Sequence, residues 1–159
     1  MTTPRSSATD PGTRLVAALV DRDFQQLARV LTADVRMRAL IPPGLVEIFG
    51  AEAAAAKFSS WFGDAEEFEL ICSGSDPVAD RVHVFYRLRV RKPGNTAKLV
   101  EQHLLCAFAG SQVNGLDLVC SGFRPDDVAE PSMALGQDAA HTVQASDAKR
   151  RRLKWEVWR

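Results

Sequence analysis

Apolar residues recur at three- and four-residue spacing in the N-terminal part of the chain, before Asp34. Asp10 and Pro11 supply an N-cap and a first helical residue, and the polar step 21–23 interrupts the pattern. We therefore predict two consecutive helices, joined by a tight bend, that each bury one face. The alanine-rich stretch 51–62, which follows Gly50, predicts a third helix.

From Asp34 the apolar spacing changes to two, which is typical of a strand with one buried face. Pro42-Pro43-Gly44 ends this strand, and a short apolar stretch, 45–49, leads to the third helix. Further strands are predicted over residues 68–72, 81–91, 99–108 and 113–123. Turn-forming clusters separate them at 73–77, 93–95 and 109–111. Helices followed by a meander of long strands indicate an α+β domain.

Composition divides the 159 residues into three parts. Residues 1–9 are polar without periodicity, so a disordered leader is expected there, and residues 10–125 are expected to form the folded domain. Residues 126–159 are predicted to be a disordered acidic linker with a basic tail, 149–159, that contains two tryptophans. Two interpretations of this tail stay open: a solvated terminus without a role, or a contact for nucleic acid or an anionic surface.

Basic and acidic residues are equal in number but unevenly distributed along the chain. The chain has 20 Lys and Arg against 20 Asp and Glu, but residues 149–159 hold six basic residues and one acidic residue. Residues 1–148 therefore keep 14 basic and 19 acidic residues, a net charge of −5, and we expect this body not to bind nucleic acid. Without a long apolar run or a signal-peptide pattern, no membrane span is expected, and a cytoplasmic location follows by default.

The cysteines and glycines suggest no bound metal or cofactor. Cys72, Cys106 and Cys120 have neither CxxC spacing nor a nearby pair of histidines, so we expect free thiols and no metal site. Gly50 and Gly110 belong to no phosphate-cradling motif, and no cofactor is expected.

Three stretches carry a resemblance to a known superfamily: LVDRDFQQLARVLTADVRMRAL, FGAEAAAAKFSSWF and CSGFRP. With the order of elements, they resemble the cone-shaped α+β superfamily that includes nuclear transport factor 2, the SnoaL-like polyketide cyclases and ketosteroid isomerase. The resemblance covers about residues 12–125. It implies an NTF2-like, cystatin-type cone in which three N-terminal helices pack on a curved, mainly antiparallel sheet. This scaffold hosts isomerases, cyclases, dehydratases, epoxide hydrolases and binding modules, so the activity stays open.

The catalytic positions of ketosteroid isomerase fall on apolar residues here. The resemblance places Ala39 at the general base, Val16 at the tyrosine and Leu104 at the protonated acid. Since an isomerase needs a base within reach of a carbon acid, alanine at that position removes the mechanism. The epoxide hydrolases of this superfamily use an Asp-Arg-Asp set, but strand parity puts the arginines of 81–91 on the outer face. No catalytic residue is assigned, and whether the chain is an enzyme stays open.

Strand parity directs a mainly apolar set of side chains into the cone, with Tyr86 and Gln102 among the few polar ones. Such a pocket suits a small apolar molecule whose orientation these two residues would fix. The alternative is a filled core in which both find backbone partners. The candidate ligand-binding residues are Met37, Phe58, Trp61, Tyr86, Gln102, Cys106 and Cys120.

Three functions follow from this interpretation. The first is a SnoaL-like domain that binds a small apolar molecule or is purely structural; the others are an enzyme of the polyketide cyclase or isomerase type, and a protein-interaction module.

The predicted outer face of the sheet mixes Phe85 and Leu105 with charged residues such as Arg87 and Glu101. Such a face suits a two-fold interface, so a homodimer is expected.

Overall fold

The computed structural model describes residues 10–126. The helices are α1 (Pro11–Val20), α2 (Phe24–Val30) and α3 (Ala51–Phe62). The strands are β1 (Leu31–Ile41), β2 (Gly44–Phe49), β3 (Glu67–Val78), β4 (Arg81–Arg91), β5 (Lys98–Ala109), β6 (Gln112–Cys120) and β7 (Arg124–Pro125). The predicted leader, 1–9, and residues 127–159 of the predicted linker and tail lie outside the described residues.

Two aspartates cap the two N-terminal helices: Asp10, as predicted, and Asp23, which lies in the predicted bend. The side chain of Asp10 accepts a hydrogen bond from the backbone N–H of Thr13 at 3.2 Å, and Asp23 accepts one from Gln26 at 2.8 Å. Each carboxylate therefore satisfies an N–H group that the first turn of a helix leaves free. Arg22, with a φ of 53°, lies in the bend between the helices.

All strands belong to one sheet with the order β2-β1-β6-β5-β4-β3, and β7 pairs with β5. β1 and β6 run parallel, and the other neighbouring strands run antiparallel. The predicted α+β architecture, with three N-terminal helices and a mainly antiparallel sheet, is confirmed. The sheet order leaves β2 and β3 at the two edges.

The predicted alternation of inward- and outward-facing side chains along β4 and β5 is also confirmed. Alternate side chains of both strands are buried against the helices: Val84, Tyr86, Leu88, Val90, Val100, Gln102, Leu104 and Cys106. The helices contribute Leu15, Leu19, Leu27, Phe58 and Phe62 to the same core. Burial of these apolar surfaces is the main force that holds the helices on the sheet.

The third strand corrects the sequence prediction. β3 does not end at residue 72; it continues through the predicted turn 73–77, which stays paired with β4. A proline is tolerated there because β3 is an edge strand with a partner on one side only. Glycine is required at position 74 because a Cβ there would clash with Cε1 of Phe85, whose phenyl ring occupies the space that a side chain would need.

Other strand limits differ from the prediction. The stretch 45–49, for which the sequence predicts no regular element, belongs to the edge strand β2 and pairs with β1. β1 begins at Leu31, three residues before the predicted start, and β6 ends at Cys120, three residues before the predicted end. The chain leaves β6 through Gly122, whose φ of +73° is in the left-handed region that glycine adopts without strain.

Candidate functional site

A cavity of about 230 Å³ lies between the last turn of α3, the end of β1, the first half of β5 and the end of β6. Its lining is mostly apolar and consists of Ile41, Pro42, Pro43, Trp61, Phe62, Gln102, Cys120, Gly122 and Phe123. An apolar lining with a few polar groups is typical of a site for a small molecule.

Aromatic rings form one wall of this cavity. Trp61 and Phe62, neighbours in the last turn of α3, have ring centroids 6.2 Å apart in an edge-to-face arrangement. Phe62 makes a second edge-to-face contact, also at 6.2 Å, with Phe123. Phe62 is fully buried, whereas Phe123 is 38% exposed and Trp61 is half-buried. The wall is therefore anchored in the core and reaches the surface at Phe123.

A chain of hydrogen bonds supplies the polar groups. The hydroxyl of Tyr86 donates to Oε1 of Gln102, and Nε2 of Gln102 donates to Sγ of Cys120 at 3.3 Å. Burial raises the pKa of Tyr86 well above its ordinary value of 10, so the phenol stays protonated and able to donate. The second N–H of the Gln102 amide has no other partner among residues 10–126. This N–H is a donor that a ligand in the cavity could use.

The segment after β6 closes the cavity because Gly122 lies directly against Pro42. A Cβ on Gly122 would meet Cγ of Pro42 at 2.6 Å, closer than side chains pack, so this approach requires glycine. The backbone N–H of Gly122 also donates to Sγ of Cys120 at 3.4 Å. The sulfur thus accepts from two donors, and the loop is held next to the end of β1.

The structure brings together some of the predicted ligand-binding residues at this cavity. Trp61, Gln102 and Cys120 line it, and Tyr86 reaches it through its hydrogen bond to Gln102. The other three, Met37, Phe58 and Cys106, are fully buried in the core outside its lining. Burial raises the pKa of Cys106 to about 12, so this thiol stays protonated.

Sequence reasoning missed most of the lining. Ile41, Pro42, Pro43, Phe62, Gly122 and Phe123 were not among the predicted site residues. Most of them lie at or just beyond strand ends, where apolar periodicity gives no information about direction. The sequence signals that point to this site are the Pro-Pro-Gly turn after β1 and the glycine after β6, because both mark places where the backbone can approach another segment closely.

The cavity does not hold the groups that proton-transfer chemistry would need. No carboxylate or imidazole of residues 10–126 lines it, and Val16, Ala39 and Leu104 are all buried in the core. Within the same range no group of three His, Cys, Asp or Glu side chains could hold a metal ion. None of the helices between residues 10 and 126 is long and apolar enough to cross a bilayer.

The outer face of the sheet carries the charged residues, as parity predicts. Arg38 bonds to Asp117 at 2.6 Å, and Arg87 bonds to Glu101 at 3.0 Å. His103 belongs to the same network: its Nε2 lies 2.8 Å from Oε1 of Glu101, and its Nδ1 lies 3.0 Å from Nε2 of His83.

Aromatic and aliphatic side chains continue across this outer face. The rings of His83, Phe85 and His103 stack with centroids 5.2–5.8 Å apart. A shallow depression of about 380 Å³ lies beside them, with Leu105 and Val119 in its lining. The face is therefore neither fully polar nor sealed by other parts of the described chain.

Comparison of the structure with solved proteins identifies the fold. A hypothetical protein with a ketosteroid isomerase-like fold from Catenulispora acidiphila, solved in complex with trimethylamine, matches with a TM-score of 0.58 and 17% identity, over 74% of this chain and 85% of that one. An NTF2-like protein from Burkholderia xenovorans matches with a TM-score of 0.54 and 17% identity, over 69% and 86%. An NTF2-like protein of unknown function from Cytophaga hutchinsonii matches with a TM-score of 0.52 and 15% identity, over 79% and 96%.

No protein-family model matches the sequence, and no curated protein matches it either. Because the identities to the solved structures are low, the likeness concerns the fold alone. The chain has the cone-shaped α+β fold of NTF2-like and ketosteroid isomerase-like proteins, as the sequence predicts.

Proposed function

We propose that this chain of NTF2-like fold binds a small molecule whose apolar part occupies the cavity between α3, the end of β1, the first half of β5 and the end of β6. The observation that carries the proposal is the Gln102 amide, which Tyr86 holds in one orientation beside an aromatic wall. An apolar body would contact Trp61 and Phe123, and an acceptor atom on the ligand would receive the remaining N–H of Gln102. Apolar contacts give affinity in such a site, and the single polar contact gives orientation.

One structural neighbour supports a binding role for this fold. The protein from Catenulispora acidiphila was solved in complex with trimethylamine, so one protein of this fold binds a small organic molecule. At 17% identity, that ligand does not identify the ligand of this chain. It supports the use of the scaffold for small molecules in general.

Binding explains the site better than the enzymatic alternative does. The general base that an isomerase requires is not found among the cavity-lining residues of the described chain. We accordingly expect no isomerisation of a Δ5-ketosteroid above the rate given by buffer bases. A purely structural role would leave unexplained why a buried amide is oriented toward a cavity instead of being replaced by an apolar side chain.

The proposal is tested with N-phenyl-1-naphthylamine, a neutral apolar probe whose fluorescence rises in an apolar site. The wild-type protein should bind it, and Cys120→Phe, which fills the cavity, should abolish binding. Cys72→Phe is the matched control, because Cys72 is exposed on β3, away from the cavity. Equal binding by wild type and Cys120→Phe would contradict the proposed site.

The outer face of the sheet supports a second proposal, that two copies of the chain associate through it. Leu45, Leu40 and Val119 are paired neighbours on β2, β1 and β6, and they are 63%, 52% and 55% exposed. The row continues in register through His103 to Phe85. A row of apolar side chains flanked by charges of both signs is self-complementary about a two-fold axis.

A further inference from the structure

A second, slightly smaller pocket shares Phe123 with the cavity. This pocket has a volume of about 200 Å³ and is formed by the end of β4, the turn 92–97 and the start of β5. Its lining residues are Val90, Lys92, Asn95, Thr96, Lys98 and Phe123. Because the 38%-exposed ring of Phe123 borders both spaces, a ligand that extends past this ring would enter the second pocket.

The two spaces differ in charge. The inner cavity has no charged side chain in its lining, whereas the second pocket has two ammonium groups and no carboxylate. Asn95 and Thr96 add neutral polar groups beside the lysines. An apolar cavity next to a cationic pocket is complementary to an amphipathic anion.

The two lysines contribute differently. The ammonium of Lys92 lies 5.8 Å from the centre of the Phe123 ring and 3.0 Å from Oδ1 of Asp64, so part of its charge is already compensated. Lys98 makes no ion pair with any residue between 10 and 126. Lys98 is therefore the cation that gains most from an anionic ligand.

We propose that the ligand is an apolar carboxylic acid or a similar monoanionic amphipath. Its apolar part lies between Trp61 and Phe123, and its anionic group lies between the ammonium groups of Lys92 and Lys98. This inference rests on the proposed binding function and adds to it the chemical class of the ligand. A cationic ligand is disfavoured, because its charge would face two ammonium groups instead of a carboxylate.

The test compares three ligands with one carbon chain: octanoate, 1-octanol and octylammonium. Each is titrated at pH 7.4 against protein that carries bound N-phenyl-1-naphthylamine, and displacement gives its affinity. Octanoate should bind about fivefold more tightly than 1-octanol, the equivalent of roughly 1 kcal/mol for a partly exposed charge pair. Octylammonium should bind most weakly, and added salt should reduce the advantage of octanoate.

Lys98→Met removes the charge but keeps the apolar stem of the side chain. It should bring the affinity for octanoate close to that for 1-octanol and leave the affinity for 1-octanol unchanged. Arg29→Met on α2 is the matched control, since it changes the net charge equally and does not line either pocket. Unchanged thermal midpoints would show that both variants are folded.

The outcomes separate this inference from the function on which it rests. Equal affinities for octanoate and 1-octanol, or a preference for octylammonium, would overturn the anionic ligand class and leave the cavity as a binding site. An octanoate advantage that survives Lys98→Met would overturn the assigned position of the anionic group. Failure of the probe and of all three ligands to bind would overturn both proposals.

Discussion

Tyr86 and Gln102 lie directly opposite each other on β4 and β5, and the Tyr86 hydroxyl donates a hydrogen bond to the Gln102 amide oxygen inside the core. Both side chains are almost completely removed from solvent. Because the hydroxyl takes the oxygen end of the amide, the nitrogen end is directed to Cys120 and the cavity. One buried pair thus stabilises the core and sets the polarity of the site.

Tyr86→Phe tests the structural part of this relationship. It should lower the free energy of unfolding by about 1–3 kcal/mol, because the Gln102 oxygen would be left buried without a donor. Urea unfolding would show this as a lower midpoint with an unchanged m-value. The double variant Tyr86→Phe/Gln102→Leu should lose less free energy of unfolding than the sum of the losses in the two single variants, because it leaves no unpaired polar group. A stability equal to wild type in the single variant would contradict the hydrogen bond.

Adjacent residues of β5 should differ in their effect on ligand binding. Gln102→Leu should change which ligands are preferred, with a loss of up to about tenfold for those that carry an acceptor atom. Glu101→Leu should leave the ligand preference unchanged, since Glu101 faces outward and bonds to Arg87 and His103. Displacement titrations with 1-octanol and the hydrocarbon octane measure this preference. Equal effects of the two substitutions would show that β5 has the opposite parity.

Glu101 also makes stability depend on pH. The hydrogen bond from His103, together with those from Arg87, holds the pKa of the Glu101 carboxyl below its ordinary value of 4.5. The ionised Glu101 carboxylate therefore stabilises the folded state fully above pH 4.5, and this stabilisation is lost as the pH falls through the lowered pKa. Glu101→Gln should therefore lower the free energy of unfolding by about 0.5–1 kcal/mol at pH 7, and by less as the pH falls below 4.5. A difference in the free energy of unfolding between wild type and Glu101→Gln that stays constant from pH 7 to pH 2 would exclude this contribution.

The proposed dimer predicts two disruptive substitutions on the outer face. Phe85→Glu and Leu105→Glu would each bury a carboxylate near apolar neighbours and close to its symmetry mate, so both should halve the mass measured by light scattering. Ile71→Glu is the control: Ile71 is 40% exposed at the irregular point of the edge strand β3. A wild-type monomer at micromolar concentration would refute the dimer, and a dimer indifferent to both substitutions would place the interface elsewhere.

Periodicity predicted the interior residues because each strand and helix has one buried face. Tyr86 and Gln102 could be assigned to the interior from alternation alone. Gly74 and its neighbours could not be assigned to a strand, because their composition favours a turn. Their strand conformation depends on the ring of Phe85 and on pairing with β4, which are tertiary contacts.

The cavity was harder to predict than the fold for a similar reason. Cys120 and Trp61 belong to regular elements, and their direction follows from strand and helix periods. Pro42 and Phe123 lie outside those periods, and they line one cavity where Gly122, in its left-handed conformation, lies against Pro42. The local sequence marks a turn at such a glycine but does not show which other segment it approaches.

Protection of Cys120 from alkylation is the most direct test of the binding cavity, because the two other cysteines are built-in controls. Iodoacetamide should label the exposed Cys72 quickly and should not label Cys106, whose thiol is buried and whose pKa is raised to about 12. N-phenyl-1-naphthylamine at ten times its Kd should slow the labelling of Cys120 about tenfold and leave Cys72 unaffected, as peptide mass spectrometry would show. Labelling of Cys120 at the same rate with and without bound probe would contradict a ligand in this cavity.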